Sequence, residues 1–303
     1  MTKTVTNLSR RGLLLSMAGV SFQLGSSRAH GATREINTLP ELFNDIETRT
    51  GGRIGVAIAD METGRAAGHR VNERFAMCSS FKWLLAGLIL QRVDAGQEQL
   101  DRLIRYDADD LIAYSPHSER SLESGMTIEA LCSSTVRISD NTAGNLLLET
   151  MGGPDGFTQA VRNLGDRVTR IDRYEPDLNE NLPGDPRDTT SPQAMLDTMN
   201  TVLFGDVLSG NSRDLLRTWM IAASTGRRRL RAGLPDNWIV GDKTGTSYSN
   251  QSNDLAFLWP EDNPNRKPIL IVSYLNVADP TSRTTDAIHA EIAHSMVEEF
   301  DLI

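Results

Sequence analysis

Residues 80–94 of this 303-residue chain limit its possible folds more than any other stretch: Ser-Phe-Lys-Trp-Leu-Leu-Ala-Gly-Leu-Ile-Leu-Gln-Arg-Val-Asp is apolar nearly all round and stops at Gly96. A helix without a polar face has no side to give to water, so it must run through the middle of a substantial core. Yet its third residue is a lysine, Lys82, and Ser79 stands three positions earlier. Three residues are nearly one helical turn, which puts the hydroxyl and the amino group on one face within reach of each other. A serine is a poor nucleophile until a base takes its proton, and a lysine desolvated by an apolar helix is a candidate for that task. The helix N-terminus adds N–H groups and a positive partial charge suited to a developing oxyanion. The chain has only four lysines, Lys3, Lys82, Lys243 and Lys267, so Lys82 is not background surface charge.

Around this helix the pattern predicts an α/β chain of the α+β type. Helical spacing over 36–50 precedes a β-branched run at 53–59, and Glu62-Thr63-Gly64 punctuates that run as a hairpin does. Helices are predicted over 127–135, 142–151, 154–164, 192–204 and 212–223, most opened by Ser, Thr, Asp or Pro in a capping position. Strand character returns at 238–242, 255–259 and 269–275, before a last amphipathic helix over 285–300. Strands at both ends with helices between predict one sheet built from the two termini and an inserted helical block. The expected division is a discontinuous α/β domain over 33–72 and 217–303, with an all-helical domain over 73–216 that includes the loop 173–188. A pocket is expected where the two meet.

The first 29 residues read as a targeting segment. Twin arginines, Arg10 and Arg11, precede a short apolar run through Leu24, and Ser27-Arg28-Ala29 offers small residues for cleavage after Ala29 or, further on, Ala32. This looks like a Tat export signal, with a periplasmic or secreted destination. Removing it takes Lys3, Arg10, Arg11 and Arg28 and no acid, so 31 basic against 40 acidic residues become 27 against 40, a net of −13. An acidic body without a basic stripe argues against nucleic acid or an anionic membrane surface as partner and favours a small-molecule enzyme, expected to be a monomer. The five histidines show no H-x-H or H-E-x-x-H spacing, so neither metal nor other cofactor is expected.

Two further tripeptides matter in combination. Ser139-Asp140-Asn141 stands between two predicted helices, where it also suits a helix cap, and Lys243-Thr244-Gly245-Thr246 follows the strand at 238–242. Each alone is weak. In the order S-x-x-K, S-D-N, K-T-G along one chain they resemble the serine β-lactamases of class A and the penicillin-binding proteins. Glu175-Pro176-Asp177-Leu178-Asn179 matches the E-x-x-L-N segment of the class A β-lactamases, which the transpeptidases lack, and the resemblance covers essentially the whole chain after the signal. An acyl-serine ester is released only if a water is activated beside it, which needs a fixed carboxylate and a second polar group, and Glu175 and Asn179 look like that pair.

The resemblance implies an antiparallel sheet flanked by helices, the β-lactamase/transpeptidase-like fold, and hydrolysis of the β-lactam amide of penicillins and cephalosporins through an acyl-serine. By the same resemblance Ser79 is the nucleophile, Lys82 and Glu175 share its activation, and Glu175 is the deacylation base. Ser139 passes a proton to the departing nitrogen. The backbone N–H groups of Ser79 and Thr246 form the oxyanion hole; Lys243, Thr244, Gly245 and Thr246 bind the substrate carboxylate, and Asn141 binds the acylamino group. Arg173 and Asp188 match an ion pair that closes the Glu175 loop. Tyr114 falls where the family places an aromatic at the pocket mouth. Arg229, in the cluster Arg227-Arg228-Arg229-Leu230-Arg231, falls where some members carry a carboxylate-binding arginine, although such a run is usually a solvated face. Cys78 and Cys132 lack the partners with which some relatives form disulfides, those positions being Ser247 and Ala86 here, so two free thiols are expected. Two alternatives share part of the motif set: a D,D-peptidase, against which Glu175 to Asn179 argues, and a β-lactam sensor that binds without turnover.

Overall fold

The computed structural model describes residues 34–35, 39–247, 249–263, 265–278 and 281–302. The targeting segment expected over 1–29 lies outside them. A six-stranded sheet is built from both ends of the chain: β1 (Arg34–Glu35), β2 (Arg53–Asp60), β3 (Arg65–His69), β4 (Trp238–Thr246), β5 (Gln251–Pro260) and β6 (Ile269–Asn276), in the order β1-β3-β2-β6-β5-β4. All pairings are antiparallel except the short β1–β3 contact. The first long strand and the last, β2 and β6, pair in the middle of the sheet, with Ile58 opposite Ile271.

Side chains alternate across a strand, and both faces here are apolar. Ile54, Val56 and Ile58 of β2, with Ile269 and Ile271 of β6, join Phe43 and Ile46 of α1 (Leu39–Thr50) on one face. Ala57, Ala59, Leu270, Val272 and Tyr274 face the helical block instead. The last helix, named α8 below (Ser282–Glu299), closes the first of these layers with Ile288, Ile292 and Met296.

The helical block forms around α2 (Lys82–Asp94), which touches α3 (Ile128–Arg137), α4 (Asn141–Thr150), α5 (Gly153–Asn163), α6 (Pro192–Phe204) and α7 (Gly210–Ile221). Every residue of α2 from Lys82 to Leu90 is buried, as its unbroken apolar pattern requires. Side-chain caps start the surrounding helices: Thr127 accepts the Ala130 N–H, Asp140 that of Ala143, Ser191 that of Ala194 and Ser209 that of Ser212. One expectation shifts. Lys243 to Thr246 lie within β4 rather than after it, because β5 begins at Gln251 and its ladder carries the pairing to Thr246 opposite Ser252.

Leu85, fully buried in α2, sets a test of this core. Leu85→Ala is expected to cost about 2–5 kcal/mol of stability through reduced burial and residual cavity. Denaturant titration of the purified protein checks it, and an unchanged midpoint would mean that α2 is not the centre of the core.

Candidate active site

Ser79 sits in a single 3₁₀ turn, Cys78–Phe81, that runs into α2. Cys78 takes φ +46°, a left-handed conformation that costs an L-residue roughly 1–2 kcal/mol. The turn is held by Met77, whose N–H donates to the Asp188 carbonyl (3.0 Å) and whose own carbonyl accepts from Ser80 N (3.1 Å) and Asn253 Nδ2 (3.0 Å). Tyr114, Ser139 and Asp188 also have positive φ, so four of the six such non-glycine residues described stand at or beside one cleft. Local strain of this kind gathers where a structure must hold a geometry the chain would not choose.

Lys82 is fully buried in the first turn of α2. Its Nζ donates to the Ser139 carbonyl (3.1 Å) and to Asn141 Oδ1, and lies 2.9 Å from Glu175 Oε1. Three N–H groups thus meet three oxygens, which is what burying this group requires. Gly144 makes room for the lysine stem: a Cβ there would stand 3.2 Å from Lys82 Cε.

Glu175 Oε1 also accepts from Ser79 Oγ at 2.8 Å, while Oε2 accepts from Asn179 Nδ2 at 2.5 Å. Burial pushes the Glu175 carboxyl up, but the charge of Lys82 and hydrogen bonds from Lys82, Ser79 and Asn179 outweigh it and hold the pKa below the ordinary value. The backbone of Glu175 is clamped as well: its N–H donates to Asn145 Oδ1 (2.9 Å) and its carbonyl accepts from Asn145 Nδ2 (2.8 Å). The loop closes through Arg173 Nε to Asp188 Oδ2 at 2.7 Å, and Asp188 Oδ1 takes the backbone N–H groups of Asp172 (2.7 Å) and Arg173 (3.1 Å).

The edge strand β4 supplies the opposite wall. A Cβ on Gly245 would meet the Met77 carbonyl at 2.4 Å, so only glycine lets β4 lie against the turn that carries Ser79. Lys243, fully buried, donates from Nζ to Ser139 Oγ (3.1 Å) and to the Thr244 carbonyl (2.7 Å). Burial first, then the neighbouring charge of Lys82, brings its pKa down to about 7. Thr244 Oγ1 donates to Thr225 Oγ1 at 2.7 Å. Arg229 is buried, unlike the exposed Arg227 and Arg228, so the solvated-face reading of this cluster fails for it. Its Nη2 donates to Thr246 Oγ1 at 2.7 Å.

These residues meet at a cleft of about 420 Å³. Ser79, Tyr114, Ser139, Asn141, Glu175, Asn179, Arg229, Thr244, Gly245 and Thr246 all line it, with Lys82 and Lys243 buried behind. Tyr114 is exposed at the rim, where its carbonyl accepts from Asn141 N (3.1 Å). A larger cavity of about 500 Å³ behind the loop, lined by Arg53, Phe75, Leu182 and Asn276 among others, holds none of the expected residues. Convergent titratable groups, not volume, single out the first. Cys78 and Cys132 are free and buried; burial pushes the Cys78 thiol up to about 12, which leaves it unreactive as a nucleophile.

Sequence reading missed Thr225, which lines the cleft, Asn145, which holds Glu175, and Asp286, which pairs with Arg229 (Nε to Oδ1, 2.9 Å). Asn145 left one signal, its place four residues after Asn141 on the same helix face. Arg173→Ala removes the partner of a buried carboxylate, and the loop's amides are expected to exchange about tenfold faster or more, tenfold being about 1.4 kcal/mol of local stability. Hydrogen exchange of residues 172–180 measures this, and unchanged rates would show that the ion pair does not hold the loop.

Residues 37–300 match the model of the β-lactamase enzyme family. β-Lactamase AST-1 of Nocardia asteroides is 43% identical over 256 residues, covering 84% of this chain and 82% of the relative. β-Lactamase OXY-2 of Klebsiella oxytoca is 37% identical over 290 residues, 96% of this chain and 98% of the relative. Among solved structures, the class A β-lactamase of the last common ancestor of Gram-negative bacteria is 52% identical, with a TM-score of 0.84 over 86% of this chain and 99% of that one.

Proposed function

Because the chain belongs to the class A β-lactamases, serine hydrolases that open the β-lactam amide and so confer antibiotic resistance, we propose that its own residues carry that reaction as follows. Ser79 Oγ attacks the lactam carbonyl carbon while its proton passes to Glu175, the carboxylate it directly hydrogen-bonds. Lys82, on the same carboxylate oxygen, holds Glu175 ionised between turnovers. Backbone N–H groups of Ser79 and Thr246 stabilise the oxyanion, a single donor of this kind being worth about 3 kcal/mol. As the C–N bond breaks, the nitrogen takes the proton of Ser139, whose hydroxyl accepts from Lys243, and the proton that Glu175 took from Ser79 replaces it by way of Lys82, which leaves Glu175 ionised again. Glu175 then takes a proton from water as that water attacks the ester, with Asn179 holding the carboxylate in place, and passes it to Ser79 Oγ as the ester C–O bond breaks. Asn141 serves the acylamino group, and Lys243, Thr244, Thr246 and Arg229 the substrate carboxylate. Penicillins and cephalosporins are the proposed substrates.

One observation carries this reading: an ionised, buried carboxylate within hydrogen-bond reach of the nucleophile. It separates a hydrolase from an acceptor that stops at the acyl-enzyme. Purified protein is expected to turn over a chromogenic cephalosporin many times, whereas Glu175→Gln accumulates a stoichiometric adduct by intact mass. A stable adduct on the wild-type protein without turnover would point to a peptidase or a sensor.

The two titrating groups set the pH response. Catalysis needs Glu175 ionised and Lys243 protonated, and kcat/KM reports the free enzyme. Since Lys243 loses its proton near pH 7, kcat/KM is expected to fall as pH rises through about 7. The kcat limb should lie higher, because a bound carboxylate favours the charged lysine. Lys243→Arg cannot lose its proton in this range and is expected to abolish the alkaline limb; a limb retained in that variant would assign it to another group.

Export through the Tat pathway to the periplasm or medium, and action there as a monomer free of nucleic acid and membrane, complete the proposal; the twin arginines at 10 and 11 and the acidic body support it.

A further inference from the structure

Two residues that hold the Ser139-Asp140-Asn141 turn also line a second groove. His117 N donates to Asp140 Oδ2 (2.9 Å), and the Ser134 carbonyl accepts from Ile138 N (3.2 Å) and Asp140 N (3.4 Å). The groove, of about 380 Å³, shares no lining residue with the catalytic cleft. Its polar lining is cationic or hydroxylic: His117 and Arg120 of the short helix Pro116–Arg120, Ser121 after it, and Ser133, Ser134 and Arg137 of α3. Ser133 and Ser134 stand four and three positions before Arg137, so the three share one face of α3. No carboxylate lines the groove; Glu119, Glu123 and Glu129, its neighbours in sequence, are exposed and outside its wall. Although the chain carries 40 acidic residues against 31 basic ones, the side chains of Arg120 and Arg137 have no hydrogen-bond or ion-pair partner among the described residues. The hydroxyls of Ser121 and Ser133 have none either. His117 Nδ1 hydrogen-bonds Ser134 Oγ at 2.9 Å, and whichever of them donates, the pair keeps one hydrogen to give, on Nε2 or on Oγ.

Donors without acceptors, gathered in one concave place, call for an anion, and their number selects its kind. A guanidinium fork takes two oxygens in a plane, so a carboxylate, with two oxygens in one plane, satisfies one arginine. A tetrahedral anion has oxygens for two forks and for hydroxyls besides, and two negative charges match two unpaired cations. We propose that this groove binds a phosphate dianion, either inorganic phosphate or the phosphate of a soluble monoester. The acidic body repels an anionic membrane surface, so the source is soluble rather than a lipid headgroup. The site does not depend on the hydrolase reading, yet it borders the cleft: an anion held between His117 and Ser134 is felt at the amide of Asp140, the residue between Ser139 and Asn141.

Amide NMR of the purified protein, with chloride replaced by inorganic phosphate at constant ionic strength, tests the site. Signals of residues 117–121 and 133–140 are expected to move together and saturate. Arg120→Gln with Arg137→Gln is expected to weaken that binding about tenfold or more, because both forks are lost. Arg167→Gln with Arg227→Gln removes the same charge from exposed arginines outside the groove and should leave the affinity within about twofold. Acetate should bind about tenfold more weakly than phosphate, having oxygens for one fork only. If the double variant does not fold, Arg120→Gln and Arg137→Gln singly carry the test, each weakening binding. Shifts confined to the cleft residues Thr244 to Thr246, an equal loss in the two double variants, or acetate as strong as phosphate would overturn the proposal. Co-sedimentation with phosphatidic acid vesicles that the Arg120 and Arg137 changes abolish would overturn the soluble source. None of these readouts uses the hydrolytic reaction, so the hydrolase reading stands or falls separately.

Discussion

Burying the amino group of Lys82 is the constraint on which the rest of the site depends. Nothing in α2 can satisfy it, because every neighbouring side chain on that helix is apolar. The three oxygens that do so come from three separate places: the Ser139 carbonyl in the turn before α4, the Asn141 side chain at its start, and Glu175 in the loop at 173–188. The helical block and the loop are therefore locked to α2 at the same atom that orders the Glu175 carboxylate. A hydrophobic helix carrying one lysine can be buried only if the fold delivers this polar cage.

The second buried lysine shows the other side of the same constraint. Lys243 has two oxygen acceptors and no carboxylate within ion-pair distance among the described residues, and it feels the charge of Lys82. Two cations confined to a buried wall leave one of them easily discharged, and in the proposed reaction the substrate carboxylate is the group that restores its charge.

How much of this was legible in the sequence follows from the nature of each signal. The helix at 80–94 was readable because burial on all sides leaves no polar period, and Ser79, Lys82, Ser139, Glu175 and Lys243 were singled out by motifs that are weak alone and resemble a family together; the structure brings these five residues into one hydrogen-bonded cluster. The fold showed through strands grouped at the two ends of the chain. The extent of β4 was not readable: Lys243-Thr244-Gly245-Thr246 has little strand propensity of its own, and only its pairing with β5 makes it extend that far. Arg229 was open to two readings, a carboxylate-binding arginine or part of a solvated run, because the acid it meets when buried, Asp286, stands 57 positions away. Asn145 carries no motif, since its task is to hold backbone atoms of a loop 30 residues on.

The central pairing of β2 with β6 has a consequence in time. Residues 53–60 pair locally with β3, but their other partner strand, residues 269–276, comes from the far end of the chain, and the site contacts span separations of 57, 96 and 104 residues. Structures dominated by such non-local contacts order late and slowly, since loop closure must precede the contacts that offset it. The Ser79–Lys82–Glu175 cluster and the Lys243 side chain that faces it come from segments far apart in the chain, so the complete cleft needs the helical block and the terminal strands together.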